Sequence, residues 1–371
     1  MSLREVLFAV IIAFLVGILG SLALRPTSSN DNLSEPAADI HSTIDAPRVK
    51  WRVPVAFGTN LPALGDNILY VANQIELITE NSIKLQIFEP GELVPPFSIT
   101  DAIRDGKVEA GYTWLGYDQG KIPSAPLLAA VPFGMEPWEF SAWWYEGGGK
   151  ELGENLYAKQ NIHIIYCGIT GPETAGWFRE EVTTLEDIRG LKIRFAGIGG
   201  KVIQQAGASV TMLPGGEIFQ ALEKGAIDAT EYSLPVVDQL LGFNRVAKFN
   251  YYPGWHQPAT SLHLAVNSEI WESLTTSDKA VIETACTAGV TKNLSRSEGL
   301  QGSIISKFSD VGVSPELLPD EILRELKTIT NQIMDSEAKA DPDFRVIYES
   351  QRAFREEYAT WKSYAYLPRG F

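Results

Sequence analysis

Arg194 is the residue with the most to offer chemically. It sits in the run Leu191-Lys192-Ile193-Arg194-Phe195, and a guanidinium is a planar fork that can pair two-pronged with a carboxylate. Recognition of an organic acid is therefore one reading. The other is an arginine in water: Leu191, Ile193 and Phe195 alternate with Lys192 and Arg194, which makes a half-buried strand with Arg194 facing away from the core. Taken alone, Glu173 and Glu231 read as loop carboxylates in water. Tyr112 and Trp114, at the end of a strand, suit core packing and the wall of a cleft equally well.

Other chemistries fail on detail. Gly197-x-Gly199-Gly200-Lys201 hints at a phosphate loop, but that motif needs glycine at Phe195 and Ser or Thr at Val202, and the dinucleotide pattern lacks its third glycine. The four histidines (His41, His163, His256, His263) are scattered, with no H-E-x-x-H and no Cys/His cluster to build a zinc site. No G-x-S-x-G nucleophile elbow occurs. Nothing in the chain marks an enzyme. A net charge of −15 excludes a nucleic-acid footprint, which needs clustered Lys and Arg. The two cysteines, Cys167 and Cys286, read as buried free thiols, although one bridge remains open.

The elements that must position these residues alternate along the chain. Val6–Leu24 is uncharged and mostly apolar, which predicts a membrane anchor or signal segment over 1–25, and 26–46 is a polar linker. Strands are predicted at Val49–Phe57, Ile83–Phe88 and Val108–Tyr112, with helices near Gly65–Thr79 and Ser98–Arg104 between them. Trp138, Trp143, Trp144 and Tyr145 suit a helix with aromatics on more than one face. Ile162–Cys167 is an apolar strand, and Thr183-x-x-Glu186 makes a capping box. After the Arg194 strand come a glycine-rich turn, a helix ending at Gly207, a second helix ending at Gly225, and the strand-like Ile227–Tyr232. Such open α/β sheets bind ligands at the carboxyl ends of their strands. Leu262–Val266 is a strand, Ser277 begins a long helix, and 319–366 is largely helical.

The runs KIRFAGIGGKVIQQAGA, LPGGEIFQALEKGAIDATEY and YYPGWHQP resemble the substrate-binding proteins of TRAP transporters, of the DctP type. The likeness is to the branch that binds 2-oxo acids and related hydroxycarboxylates. It extends through GELVPPFSITDAIRDGKVEAGYTWLGY, AAVPFGMEPWEFSAWWYEGGG and GWFREEVTTLEDIRGLKIR. The resemblance implies an α/β, two-lobed periplasmic-binding-protein-like fold with cross-over strands and a helical C-terminal tail. Lobe I would hold 47–170 and about 261–299, lobe II 171–260, and 300–371 would pack across the lobes or in a dimer. By the same resemblance Arg194 clamps the ligand carboxylate, with Glu173 and Tyr232 around the ligand, and Asn60, Tyr112 and Trp114 are read as the lobe I wall of the cleft. Glu173, Glu231, Tyr232 and Gln257 would surround a sodium or calcium ion. Two residues depart from the family pattern, which commonly has Gln where Glu173 stands and Trp where Tyr232 stands. The function implied is a non-enzymatic extracytoplasmic receptor delivering a small carboxylate to TRAP membrane subunits. A tethered sensory or scavenging module on the same fold is the alternative.

Overall fold

The computed structural model describes residues 46–367. The anchor or signal segment predicted over 1–25, and all of the linker but Ala46, lie outside them. Among the described residues no helix is long and apolar enough to cross a membrane.

The chain opens with β1 (Val49–Pro54), α1 (Asp66–Ile78) and β2 (Ile83–Phe88). β1 and β2 pair in parallel, which requires a crossover, and α1 supplies it while burying Ile68, Val71 and Ile75. Then follow α2 (Ile99–Arg104) and β3 (Ala110–Thr113), the latter linked to the first strand by a bridge from Val55 to Tyr112. In α3 (Pro137–Glu146) Trp143 and Trp144 are buried while Trp138 and Tyr145 stay exposed, so aromatics do occupy more than one face. α4 (Gly149–Ala158) leads into β4 (Ile162–Thr170), buried at every position but His163.

A second sheet begins with β5 (Gly176–Phe178) and β6 (Lys192–Arg194), continues through α5 (Gly197–Gln205), β7 (Ser209–Thr211), α6 (Gly215–Glu223) and β8 (Ala229–Thr230), and reaches α7 (Pro235–Leu240) and β9 (Phe249–Tyr252). The chain then returns to the first region as β10 (Thr260–Asn267), antiparallel to both β3 and β4. α8 (Ser268–Glu272) and α9 (Thr276–Ile305) follow, α9 lying along β4 and α1. β11 (Ser314–Leu317), α10 (Asp320–Ala340) and α11 (Pro342–Ala365) complete the described chain. The second sheet has the order β11-β9-β5-β8-β6-β7 and is mixed, with β6 parallel to β7 and β8. α10 packs on α5, where Lys201 Nζ meets Glu337 Oε1 at 2.6 Å. α11 packs on α3, where Trp143 Nε1 donates to Ser350 Oγ at 3.1 Å.

Two expectations need correction. Cys167 and Cys286 are not free thiols: they form a disulfide between β4 and α9, 119 residues apart in sequence with Cα atoms 4.2 Å apart. The capping box lies one residue later, where Asp187 Oδ2 accepts from the backbone N–H groups of Thr183 (2.9 Å) and Thr184 (2.8 Å) over the 3-10 turn Leu185–Ile188. The tail 319–366 is helical as read, in α10 and α11, and β11 just before it extends the second sheet by pairing with β9.

Candidate functional site

Arg194 ends β6 and is not on a solvated face; only 1% of it is exposed. The alternation argument fails here because the face that leaves Lys192 exposed is covered at the Arg194 end of β6, where Ile193 and Arg194 are both buried. The side chain points into a closed cavity. Its Nε donates to Leu213 O at 3.1 Å, and its Nη1 donates to both the backbone O and the Oε1 of Glu231 at 2.8 Å. These bonds use three of the five guanidinium hydrogens, leaving the two on Nη2. The Tyr232 ring lies beside the group, with Arg194 Cζ 5.3 Å from its centroid.

Glu231 follows β8 and is fully buried. Its Oε1 also accepts from Ala196 N at 2.6 Å, but its Oε2 has no hydrogen-bond partner. That oxygen faces His256 Nε2 at 3.5 Å, and the same nitrogen lies 4.0 Å from Glu173 Oε2. Neither His256 nitrogen has a hydrogen-bond partner. Glu173 Oε1 accepts from Thr260 Oγ1 at 2.8 Å. The Gln257 amide stands 2.8 and 3.1 Å from the two Glu173 oxygens and 2.7 Å from Thr260 Oγ1. With its nitrogen turned inward it donates to Glu173; with its oxygen turned inward, oxygens crowd together in a way that calls for a cation. The loop bearing His256 and Gln257 presses tightly on Glu173. A Cβ at Gly254 would fall 2.2 Å from Glu173 O, so only glycine fits there.

The electrostatics split the two acids. Burial pushes Glu231 up, but Arg194, His256 and the Ala196 N–H outweigh it and hold the carboxyl below its usual range. Burial, reinforced by Glu231, raises Glu173 well above the usual range. Burial likewise raises Tyr117 to about 12 and Tyr232 well above its usual value, so both phenols are neutral. Glu173, Glu231 and His256 offer ligand atoms within 4.8 Å of one another, and the unpartnered Glu231 Oε2 is among the atoms such a buried cluster must satisfy. An oxygen-rich set of this kind fits a hard cation.

Trp114 closes the opposite wall with Phe57, Leu64 and Tyr117. Its ring packs on Gly197, whose φ of +67° suits glycine and where a Cβ would meet the indole at 2.9 Å. The enclosed space is about 20 Å³, against 500 to 670 Å³ for grooves on the outer surface. It holds very few heavy atoms. Arg194, Glu173, Glu231, Tyr232, Trp114 and Gln257 therefore surround one cavity. Tyr112 and Asn60 do not. Tyr112 is sealed in the first sheet, its hydroxyl accepting from Asn67 Nδ2 at 3.0 Å, and Asn60 is exposed on a turn. The sequence argument also missed His256, Thr260 and Tyr117. His256 adjoins Gln257, and Tyr117 sits in the aromatic cluster with Trp114; both were available signals.

Asp238 on α7 supports the site from behind. It accepts from Trp177 Nε1 (2.8 Å), Ser233 N (3.2 Å) and Thr174 Oγ1 (3.5 Å), tying together the segments that carry Tyr232 and Glu173. Burial raises its pKa to about 8. The folded state therefore binds protons there that the unfolded state has lost, and stability contributed by Asp238 falls as pH rises towards 8. Glu173 acts with the same sign. Buried His163 and His263, with lowered pKa values, act with the opposite sign, so the measurable effect is a difference: between pH 5 and pH 8 the melting temperature of the cation-free protein should fall more, or rise less, in the wild type than in Asp238→Asn. Equal slopes in the two proteins would refute this role.

Comparison with known proteins gives the family. Residues 60–341 match the family described as bacterial extracellular solute-binding protein, family 7 (DctP). A monocarboxylate 2-oxoacid-binding periplasmic protein of Nostoc sp. (strain PCC 7120) is 35% identical over 319 residues, covering 85% of this chain and 86% of that protein. The crystal structure of a TRAP transporter solute-binding protein from Bordetella bronchiseptica, a mixed-occupancy dimer with calcium and picolinate in its occupied site, superposes with a TM-score of 0.84. It is 31% identical, covering 86% of this chain and 95% of that one. A TRAP periplasmic solute-binding protein from Pseudoalteromonas atlantica, with sodium and pyruvate bound, gives 0.82 at 29% identity, covering 85% and 97%. The two-lobed α/β fold is theirs, and the family binds solutes rather than transforming them. With 282 of its residues inside the family match, the chain is a DctP-family TRAP solute-binding protein that works outside the cytoplasm.

Proposed function

We propose that this receptor binds a small monocarboxylate with an oxygen at its second carbon, a 2-oxo acid such as pyruvate or a 2-hydroxy acid such as lactate, together with a cation. The observation that carries this reading is an anion seat and a cation seat side by side in a closed cavity. Arg194 retains its Nη2 hydrogens for a carboxylate, with the Tyr232 ring beside them, and Glu173, Glu231 and Gln257 offer oxygens opposite. The walls leave about 20 Å³ and must part to admit ligand and cation, and a short ligand requires the smallest opening. Arg194 and Glu231 cancel in charge, so Glu173 and the ligand carry two negative charges between them. Calcium neutralises both; sodium suffices where Glu173 keeps its proton. The cation supplies the charge that lets Glu173 and the ligand share one buried cavity. Mass spectrometry of co-purified solute and calorimetric titration with pyruvate test the assignment. A co-purified solute without a carboxylate, or no heat with any 2-oxo or 2-hydroxy acid, would overturn it.

The closed, loaded form then docks on the TRAP membrane subunits, and closure of the lobes makes recognition and signalling one event. Uptake of labelled pyruvate should require both this protein and those subunits. The apolar segment 6–24 serves export or anchoring, and 26–46 is a tether. A chain beginning at Ala46 should therefore melt and bind as the full chain does. Light scattering on the same sample reports whether the C-terminal helix, with Trp361 and Tyr364 exposed, draws in a second copy. Loss of folding in the shortened chain would show that the boundary is wrong.

A further inference from the structure

Away from the solute cavity, three metal-ligating side chains meet where α4, β4 and α9 come together. Glu154 on α4, His163 on β4 and Glu283 on α9 each present a ligand atom, all within 4.8 Å of one another. His163 Nε2 is buried and has no hydrogen-bond partner, which leaves a nitrogen lone pair or N–H unsatisfied. The imidazole is held in place by Trp271, which stacks on it at 4.3 Å with planes 11° apart. Glu154 and Glu283 line a groove of about 530 Å³ that also contains Trp144, Tyr166 and Lys150. Lys150 Nζ lies 3.0 Å from Glu283 Oε1 and 3.7 Å from Glu154 Oε1, so an ammonium stands where the two carboxylates converge.

We propose that Glu154, His163 and Glu283 form a second cation site, separate from the solute cavity and suited to a divalent ion of the zinc class, with Lys150 as its built-in competitor. One imidazole nitrogen and two carboxylates from three elements make a mixed N/O donor set, and imidazole selects zinc-type ions over sodium or calcium. Ligand bonds to zinc are about 2 Å long, so three donors within 4.8 Å need only a small inward rotation of the two glutamates. The fourth position opens onto the groove and takes water. Nearly half of the Lys150 side chain is exposed, so the ammonium can swing into solvent when the metal enters. The trio carries two carboxylates against one lysine, a charge excess that a divalent ion removes. Such an ion would tie α4, β4 and α9 together around the strand that also carries Cys167, without touching the solute seat.

The test is calorimetric titration of the full, cation-stripped protein with zinc chloride, alongside pyruvate titration of the same variants. The wild type should take up an equivalent of zinc that Glu173→Gln retains. His163→Ala and Glu283→Gln should weaken that equivalent by about tenfold or more, and Lys150→Met should tighten it by roughly fivefold. Pyruvate affinity should stay unchanged in His163→Ala. Zinc-edge anomalous scattering from wild-type crystals should show a peak between the three side chains. Absence of that zinc equivalent, or its persistence in both His163→Ala and Glu283→Gln, would overturn the site. An unchanged affinity in Lys150→Met would overturn the competitor role. If His163→Ala fails to fold, Glu283→Gln and the anomalous peak still decide. Because zinc and pyruvate are read separately, loss of pyruvate binding bears on the solute assignment alone.

Discussion

Arg194→Lys is expected to weaken pyruvate binding by roughly 2–5 kcal/mol, although it keeps the positive charge. The guanidinium does three jobs from one plane: Nε holds Leu213 O, Nη1 holds Glu231 through two oxygens, and Nη2 is left for the ligand. An ammonium concentrates its three donors at a single point and cannot reach all of these acceptors together. Whichever it satisfies, another buried oxygen loses its partner. Glu231 is the most exposed to this loss, since its Oε1 shares Arg194 with only the Ala196 N–H. The variant should therefore melt lower as well as bind more weakly, because a buried carboxylate with a poorer partner costs stability. Calorimetric titration decides the point. Near-native affinity in Arg194→Lys would remove Arg194 from the ligand site and leave it a purely structural ion pair with Glu231.

The second large effect is expected from removing the cation. In buffer free of calcium and sodium, pyruvate affinity should fall by roughly two orders of magnitude, since the ligand oxygens lose the cation's attraction in a water-poor cavity and Glu173 must stay protonated for the ligand carboxylate to enter. Calcium should restore it more fully than sodium in the wild type. Glu173→Gln removes one negative charge and should shift the preference towards sodium. It also leaves Thr260 Oγ1 an amide oxygen to donate to in place of a carboxylate. The two measurements separate two roles for Glu173. If it holds the cation, the preference changes; if it only braces Thr260 and Gln257, stability changes and the preference does not. Undiminished affinity in metal-free, sodium-free buffer would end the cation reading, with Glu173 then held as a neutral acid by its raised pKa.

Local pattern was enough to locate most elements. β2 runs over Ile83–Phe88 as its alternation predicts, and α1 starts and stops within a residue or so of its predicted ends. The short strands β5, β7, β9 and β11 left no comparable trace, because three or four residues are too few to display an amphipathic period. Of the groups around the cavity, the family likeness pointed to a strand-borne arginine, two acids, Tyr232, Trp114 and the glutamine two residues after Trp255, and passed over His256. By itself the sequence determined which groups could serve an organic acid and its cation, and that no enzyme motif competes with them.

Tertiary structure decided where those groups point and which of them meet. Arg194 reads as solvated by alternation, yet its end of β6 is covered, with Trp114 closing the opposite wall. Tyr112 and Trp114 are two residues apart on one strand end, but Tyr112 turns into the first sheet and only Trp114 lines the cavity. Glu173 and Glu231 come from distant parts of the chain and converge on His256. Cys167 and Cys286 are 119 residues apart and pair because α9 lies against β4. Each of these outcomes depends on long-range packing, and packing brings side chains within a few ångströms of one another whatever their separation along the chain.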